Sequence, residues 1–279
     1  MFLAYSIPFD SIFDPLPQKI HPVKINSKVQ FAGEEIPTDY FDVLERLERE
    51  LLLNSYHHSS MILHIKMSSR YFPTIEKIFA QEGVPEDFKY LAIAESSFRY
   101  ATSPAGARGI WQFREASASE YQLEVNEFVD ERNHFEKSTY AAASYLKKLK
   151  LKFGSWVLAA AAYNMGPTAL QRSIDEQKES SFFDMNLGEE TNRYLFRIIA
   201  FREIMEQPEK FGYYLSHDDY YKPFNSVEKI SVDTSISNLA DFAHNYNITY
   251  RQLKLYNPWL MKTSLPNKNK KSYEIVIPK

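Results

Sequence analysis

None of the 279 residues is cysteine. Disulfide scaffolds, Cys-ligated zinc, thiol catalysis and lipid attachment through an N-terminal Cys are therefore excluded, while any redox compartment stays open. Long hydrophobic runs are also missing. The longest, Trp156 to Tyr163, is eight residues, far below the roughly 20 that span a bilayer. The opening stretch Met1–Phe9 is apolar but lacks a basic n-region and is interrupted by Pro8 and Asp10. It reads as an incomplete signal segment, the rest having been removed or lying upstream. Charge of one sign is not in excess: 33 Lys and Arg stand against 36 Asp and Glu, a net of −3, so no global basic field steers the chain to nucleic acid. P-loop and dinucleotide fingerprints are absent, and no nucleotide or other cofactor is implied. What is present is ordinary globular composition, 44% hydrophobic and 25% charged, with 19 Tyr, 20 Phe and 3 Trp as the outlier. Such rings fill a core, and their faces also stack on sugars while polar tips hydrogen-bond. The length suits one or two domains.

Residues 1–37 are punctuated by Pro8, Pro15, Pro17, Pro22 and Pro37 without a sustained period, which predicts an extended N-terminal arm. Thr38 or Asp39 is the expected N-cap of a helix over Tyr40–Asn54, where Val43, Leu44, Leu47, Leu51 and Leu52 recur at helical spacing. Further helices are predicted over Met61–Tyr71 (closed by Pro73), Ile75–Glu82 (stopped by Gly83) and from Pro85 through Leu91 and Ile93 to Glu95. After the small-residue loop Thr102–Gly109, helices resume over Trp111–Tyr121, Ser138–Phe153, Trp156–Tyr163, Thr168–Gln177 and Glu190–Gln207. Residues 38–212 thus read as all-α. A polar-aromatic linker, 213–227, precedes a change of pattern. Over 228–279 a strand, two short helices and a strand form a small α+β (βααβ) unit with net charge +4 against −7 for the rest.

Three places carry chemistry. Glu95 ends an apolar helical stretch and precedes the glycine-containing loop. A carboxyl desolvated there has a raised pKa, as a general acid near neutral pH requires; a surface glutamate at a helix end is the plainer reading. Gly106–Phe113 holds Gln112, both donor and acceptor, or is simply a helix-entry loop with Trp111 in the core. Ala159–Pro167 leaves Tyr163 and Asn164 at a helix terminus, free to point at a ligand, or serving as core residue and C-cap. His57, His58 and His64 lack the i, i+4 pairing with an acid that zinc sites show, so no metal is implied.

Together, Glu95-Ser96, Gly109-Ile110-Trp111-Gln112, Ala162-Tyr163-Asn164 and Glu189-Glu190-Thr191-Asn192-Arg193-Tyr194, in this order, resemble the motifs of the lysozyme-like lytic transglycosylases (SLT domain). Ser103-Pro104-x-Gly106-Ala107 and Ala141–Leu146 fit as flanks. The likeness covers about residues 72–212 and is nearest to the membrane-bound type D branch, whose members add C-terminal LysM modules. Many relatives carry Leu-Met where this chain has Ile110-Trp111. The resemblance implies a mainly α, lysozyme-like catalytic domain that cleaves the β-1,4 MurNAc–GlcNAc bond of peptidoglycan and leaves a 1,6-anhydro end. Glu95 would be acid and then base, with Ser103, Gln112, Tyr163, Asn164, Glu190 and Tyr194 at the substrate.

The C-terminal unit resembles LysM, a peptidoglycan-binding module, through Val232-Asp233-Thr234, Leu239-Ala240, Asn245–Thr249, Leu255-x-Asn257-Pro258 and Ile275–Pro278. This implies glycan contacts at Asp233, Thr234, Asn257 and Pro258. A basic insert, Lys268–Lys271, stands where a shorter turn is usual and reads as a solvated turn. The implied partner is the peptidoglycan glycan strand in the cell envelope, on the periplasmic side. Two rivals remain: a muramidase that uses water, and a non-catalytic peptidoglycan-binding scaffold.

Overall fold

The computed structural model describes residues 22–25, 28–224 and 227–279; the arm expected over 1–21 lies outside them. Part of the stretch read as an extended arm is instead a hairpin. Strand β1 (Val29–Phe31) pairs antiparallel with β2 (Glu34–Ile36) about Ala32 and Gly33, both at positive φ, the backbone that a two-residue hairpin turn demands. Phe31 and Ile36 are buried, Phe31 edge-on to Phe88 with ring centroids 5.1 Å apart.

Helix α1 (Phe41–Tyr56) buries Val43, Leu47 and Leu51 and packs on α8 (Glu189–Glu206). It enters through Tyr40 with no side-chain cap, so the cap expected at Thr38 or Asp39 is not made. The two helices expected on either side of Pro73 are one, α2 (His58–Glu82). A proline in a helix interior costs about 3 kcal/mol; here Tyr71, Ile75, Ile78 and Phe79 bury the same helix around it, and packing carries it through. A 3-10 turn, Glu86–Tyr90, leads into the short α3 (Leu91–Ser96).

The helix expected over Trp111–Tyr121 shrinks to α4 (Glu115–Glu120). Gln112 lies in the left-handed region at φ 50, which a continuing helix cannot tolerate. Helix α5 (Phe135–Phe153) is followed by α6 (Trp156–Met165), α7 (Pro167–Gln177) and α8. Helix α6 is central, buried on every side from Val157 to Ala162; its alanines let α5 and α8 approach closely. Its first turn is capped twice. The Ser155 hydroxyl accepts from the Leu158 N–H, while the distant Glu34 carboxylate of β2 accepts from the Trp156 and Val157 N–H groups and from the Ser155 hydroxyl. Burial pushes the Glu34 carboxyl up, but these bonds and that from Lys150 hold it below its ordinary range.

Of the stretch read as a linker, the described residues up to Phe224 are strapped down. The Tyr213 hydroxyl donates to the Ser55 carbonyl, the Tyr221 N–H to the Lys66 carbonyl, and Arg70 lies over Phe224 at 4.5 Å. The C-terminal unit has β3 (Val227–Val232) antiparallel to β4 (Tyr273–Pro278), with α9 (Leu239–Asn245) and α10 (Tyr250–Tyr256) between them. The molecule is mainly helical with a βααβ unit at its C-terminal end. The core of that unit, around Leu239, Leu253, Trp259 and Ile275, also takes in Val129 of the helical part.

Candidate active site

Glu95 sits near the C-terminal end of α3, half-buried. The backbone turns sharply after it. Ser97 and Phe98 both adopt left-handed φ, 53 and 59, which costs about 1 kcal/mol or more each for residues with a Cβ. Phe98 holds the turn by burying its ring against Tyr71, stacked at 5.0 Å. Ser96 is buried, and its hydroxyl bonds the Ile110 carbonyl at 2.9 Å, tying the end of α3 to the loop that begins at Gly109.

The Tyr194 hydroxyl, on α8, donates to Glu95 Oε1. Burial pushes the Glu95 carboxyl up to about 7; the Tyr194 bond restrains the rise, the Glu190 carboxylate adds to it and the Arg197 guanidinium opposes it. A carboxyl raised this far can carry a proton near neutral pH, as a proton donor needs. Burial first, and then the charge of Glu95, lift the phenols of Tyr163 and Tyr194 well above the ordinary range. These rings are hydrogen-bond donors and stay neutral.

Tyr163 comes from α6, and its hydroxyl donates to the Trp111 carbonyl at 2.8 Å. Asn164, next along α6, accepts from the Thr191 hydroxyl through Oδ1 at 2.8 Å, so α6 and α8 are bonded at the site. It lies inside the helix; the cap is Gly166. Glu190 is exposed and pairs with Arg197 through both oxygens, at 3.0 and 3.3 Å. Arg197 also approaches the buried Glu50, which Arg193 engages at 2.6 Å. Glu50 and Arg197 carry no motif; only an acid placed among the apolar positions of α1 hints at them.

Other expected residues hold the loop. Gln112 donates both amide hydrogens, to the carbonyls of Gly109 (2.8 Å) and Ala101 (3.1 Å), so only Oε1 is left for a ligand. Ser103 accepts from the Ala107 N–H at 3.1 Å and builds the preceding turn. Trp111 is fully buried, its indole N–H on the Thr139 hydroxyl at 3.0 Å; it belongs to the core. Gly109 is required: at φ +82, a Cβ there would stand 1.9 Å from the Arg132 carbonyl oxygen.

In the C-terminal unit, Asp233 and Thr234 are exposed on the turn after β3, beside a concavity shared with Asn238, Phe242 and Tyr246. Asn257 corrects the expectation. It is fully buried and bonds the Leu253 carbonyl and both backbone groups of Val276, which clamps α10 to β4 and leaves nothing for glycan. The Pro258 carbonyl faces Asn133 of the helical part. The basic insert is exposed, and within it Lys271 pairs with Glu124.

Residues 73–186 match the transglycosylase SLT domain, and residues 228–279 match the soluble lytic transglycosylase C-terminal LysM-like domain. The chain is 27% identical over 244 residues to the membrane-bound lytic murein transglycosylase D of Escherichia coli strain K12, which covers 84% of this chain and 52% of that protein. The chain therefore spans about half the length of the curated relatives it matches. Among solved structures, it is similar to the 70 kDa soluble lytic transglycosylase of E. coli (18% identity, 55% of this chain and 26% of that one, TM-score 0.40). Lytic transglycosylase Slt of Pseudomonas aeruginosa gives 20% identity, 54% and 26% coverage and a TM-score of 0.38.

Proposed function

We propose that this chain, which carries an SLT domain and a soluble lytic transglycosylase C-terminal LysM-like domain, cleaves the β-1,4 bond between N-acetylmuramic acid and N-acetylglucosamine in the cell envelope. The observation that carries the reading is the Glu95 carboxyl, pushed by burial to about 7 while its charge is tempered by the Tyr194 hydroxyl. The neighbouring carboxylate, Glu190, is engaged by Arg197. This arrangement suits one acid doing two jobs, whereas a two-carboxylate hydrolase needs a second free group across the bond.

Protonated Glu95 gives its proton to the glycosidic oxygen as the bond from that oxygen to the muramoyl C1 breaks, releasing the N-acetylglucosamine 4-hydroxyl. The N-acetyl carbonyl of the substrate shields the positive charge growing at C1. Glu95, now a carboxylate, takes the proton of the muramoyl C6 hydroxyl while O6 closes on C1. A 1,6-anhydro end forms, no water is consumed and Glu95 is again protonated. Tyr194 steadies the carboxylate in the interval, and Tyr163 and Asn164 offer hydrogen bonds to the sugar and its N-acetyl group.

The test is mass spectrometry of purified peptidoglycan incubated with wild type and with Glu95→Gln. Anhydro-muropeptides from wild type alone are expected, with the variant slower by about 10²-fold or more. Products one water heavier would identify a muramidase, and absence of product from both would favour a glycan-binding scaffold.

A further inference from the structure

The loop Gly109–Phe113 is bonded to two parts of the site: the Ile110 carbonyl holds Ser96 beside Glu95, and the Trp111 carbonyl holds Tyr163. What fixes this loop lies outside it. The Arg132 guanidinium is buried. Its Nη1 donates to the carbonyls of Gly106 (3.1 Å), in the turn before the loop, and Phe113 (3.4 Å), at the loop's end. Its Nε and Nη2 form a fork on the two oxygens of buried Asp130, at 2.9 and 2.7 Å, and Arg108 adds a third bond to Asp130 at 3.0 Å. A planar fork of this kind fixes direction as well as distance.

Asp130 is placed in turn by the C-terminal unit. Its N–H donates to the Trp259 carbonyl at 2.9 Å, and the Met261 N–H donates to the Phe128 carbonyl at 2.8 Å, flanking an antiparallel bridge between Val129 and Leu260. Val129 is buried in the core of the unit, and the His134 ring lies against Trp259 at 5.7 Å. Glu124 receives Lys271 and the Tyr273 hydroxyl, and Lys229 reaches Glu136 at 3.0 Å. The segment 124–136 is therefore packed between the βααβ unit on one side and the loop of the site on the other.

We infer that the βααβ unit braces the catalytic loop, with Asp130 and Arg132 as the positioning pair that transmits the brace from Trp259 to Gly109–Phe113. This rests on the transglycosylase reading and adds to it a role for the unit that does not depend on holding glycan. Turnover of a glycan too short to reach the unit then still depends on this interface. Arg132→Lys keeps the charge and loses the fork. Trp259→Ala loosens the docking face while leaving the loop's own residues intact.

The experiment uses the full chain and soluble, peptide-free glycan strands of two disaccharide repeats. It reads kcat and KM from anhydro product, and amide hydrogen exchange over residues 106–113, in wild type and both variants. The expected result is a kcat at least tenfold lower with KM within twofold, together with faster exchange in 106–113; the fall in kcat is smaller for Trp259→Ala. Should Arg132→Lys fail to fold, Trp259→Ala alone decides. Unchanged kcat, or kcat lost without faster exchange in 106–113, would overturn the brace. Absence of anhydro product from wild type would instead overturn the reaction assigned to the site.

Discussion

Glu95 gains its chemistry from where it stands. Burial raises its pKa to about 7 and the Tyr194 hydroxyl keeps it from going higher. The acid must be protonated to act, so kcat/KM falls as pH rises above about 7. Tyr194→Phe removes the bond that favours the carboxylate; the pKa moves further up, and the falling limb shifts to more alkaline pH in a pH–rate profile. A shift to lower pH would contradict the role assigned to Tyr194. Motif spacing made Glu95, Tyr163 and Tyr194 legible as a set. It did not separate residues that face a ligand from those already committed to the backbone. Gln112 and Asn257 look alike in sequence, polar side chains beside turns, yet both hold carbonyl groups of the chain itself. Which polar atoms remain free depends also on partners 11 and 19 residues away, Ala101 for Gln112 and Val276 for Asn257, and no local pattern records that.

The helices α1 and α5 were legible from their 3.6-residue period, because each buries one stripe and exposes another. The misreadings fall where backbone geometry departs from its usual cost. Pro73 stays inside α2 because apolar contacts on both sides outweigh the lost hydrogen bond, and α4 begins late because Gln112 is left-handed. The loop between α3 and α4 is the least tolerant element. Gly109→Ala combines φ +82 with a Cβ 1.9 Å from a backbone oxygen that has no rotamer to escape into. We expect a loss of about 2 kcal/mol or more in denaturant unfolding, and a fall in activity that exceeds the fall in stability. A neutral result would mean that the loop is free to move from Arg132.

At the scale of the whole molecule, the change of pattern after residue 227 was visible, but the docking of the last unit was not. It is carried by Phe128–Asp130, three residues without periodicity or motif, whose partners are 130 positions downstream. The two apolar cores interlock there through Val129. Neither can open without exposing part of the other, so differential scanning calorimetry should show one cooperative transition. Two well-separated transitions would mean that the interface contributes little to either part.

The double cap on α6 has a consequence in time. Glu34 and the Trp156 N–H it accepts from are 122 residues apart. At a synthesis rate of about 5–20 residues per second, roughly 6–24 s pass between their appearance. Throughout that interval, the hairpin that places Glu34 lacks the helix end it caps. The β1–β2 hairpin thus gains its Glu34 bonds only after the start of α6 is made. Nascent chains halted before residue 156 should be cut by protease within residues 28–37, and those released after α8 should resist.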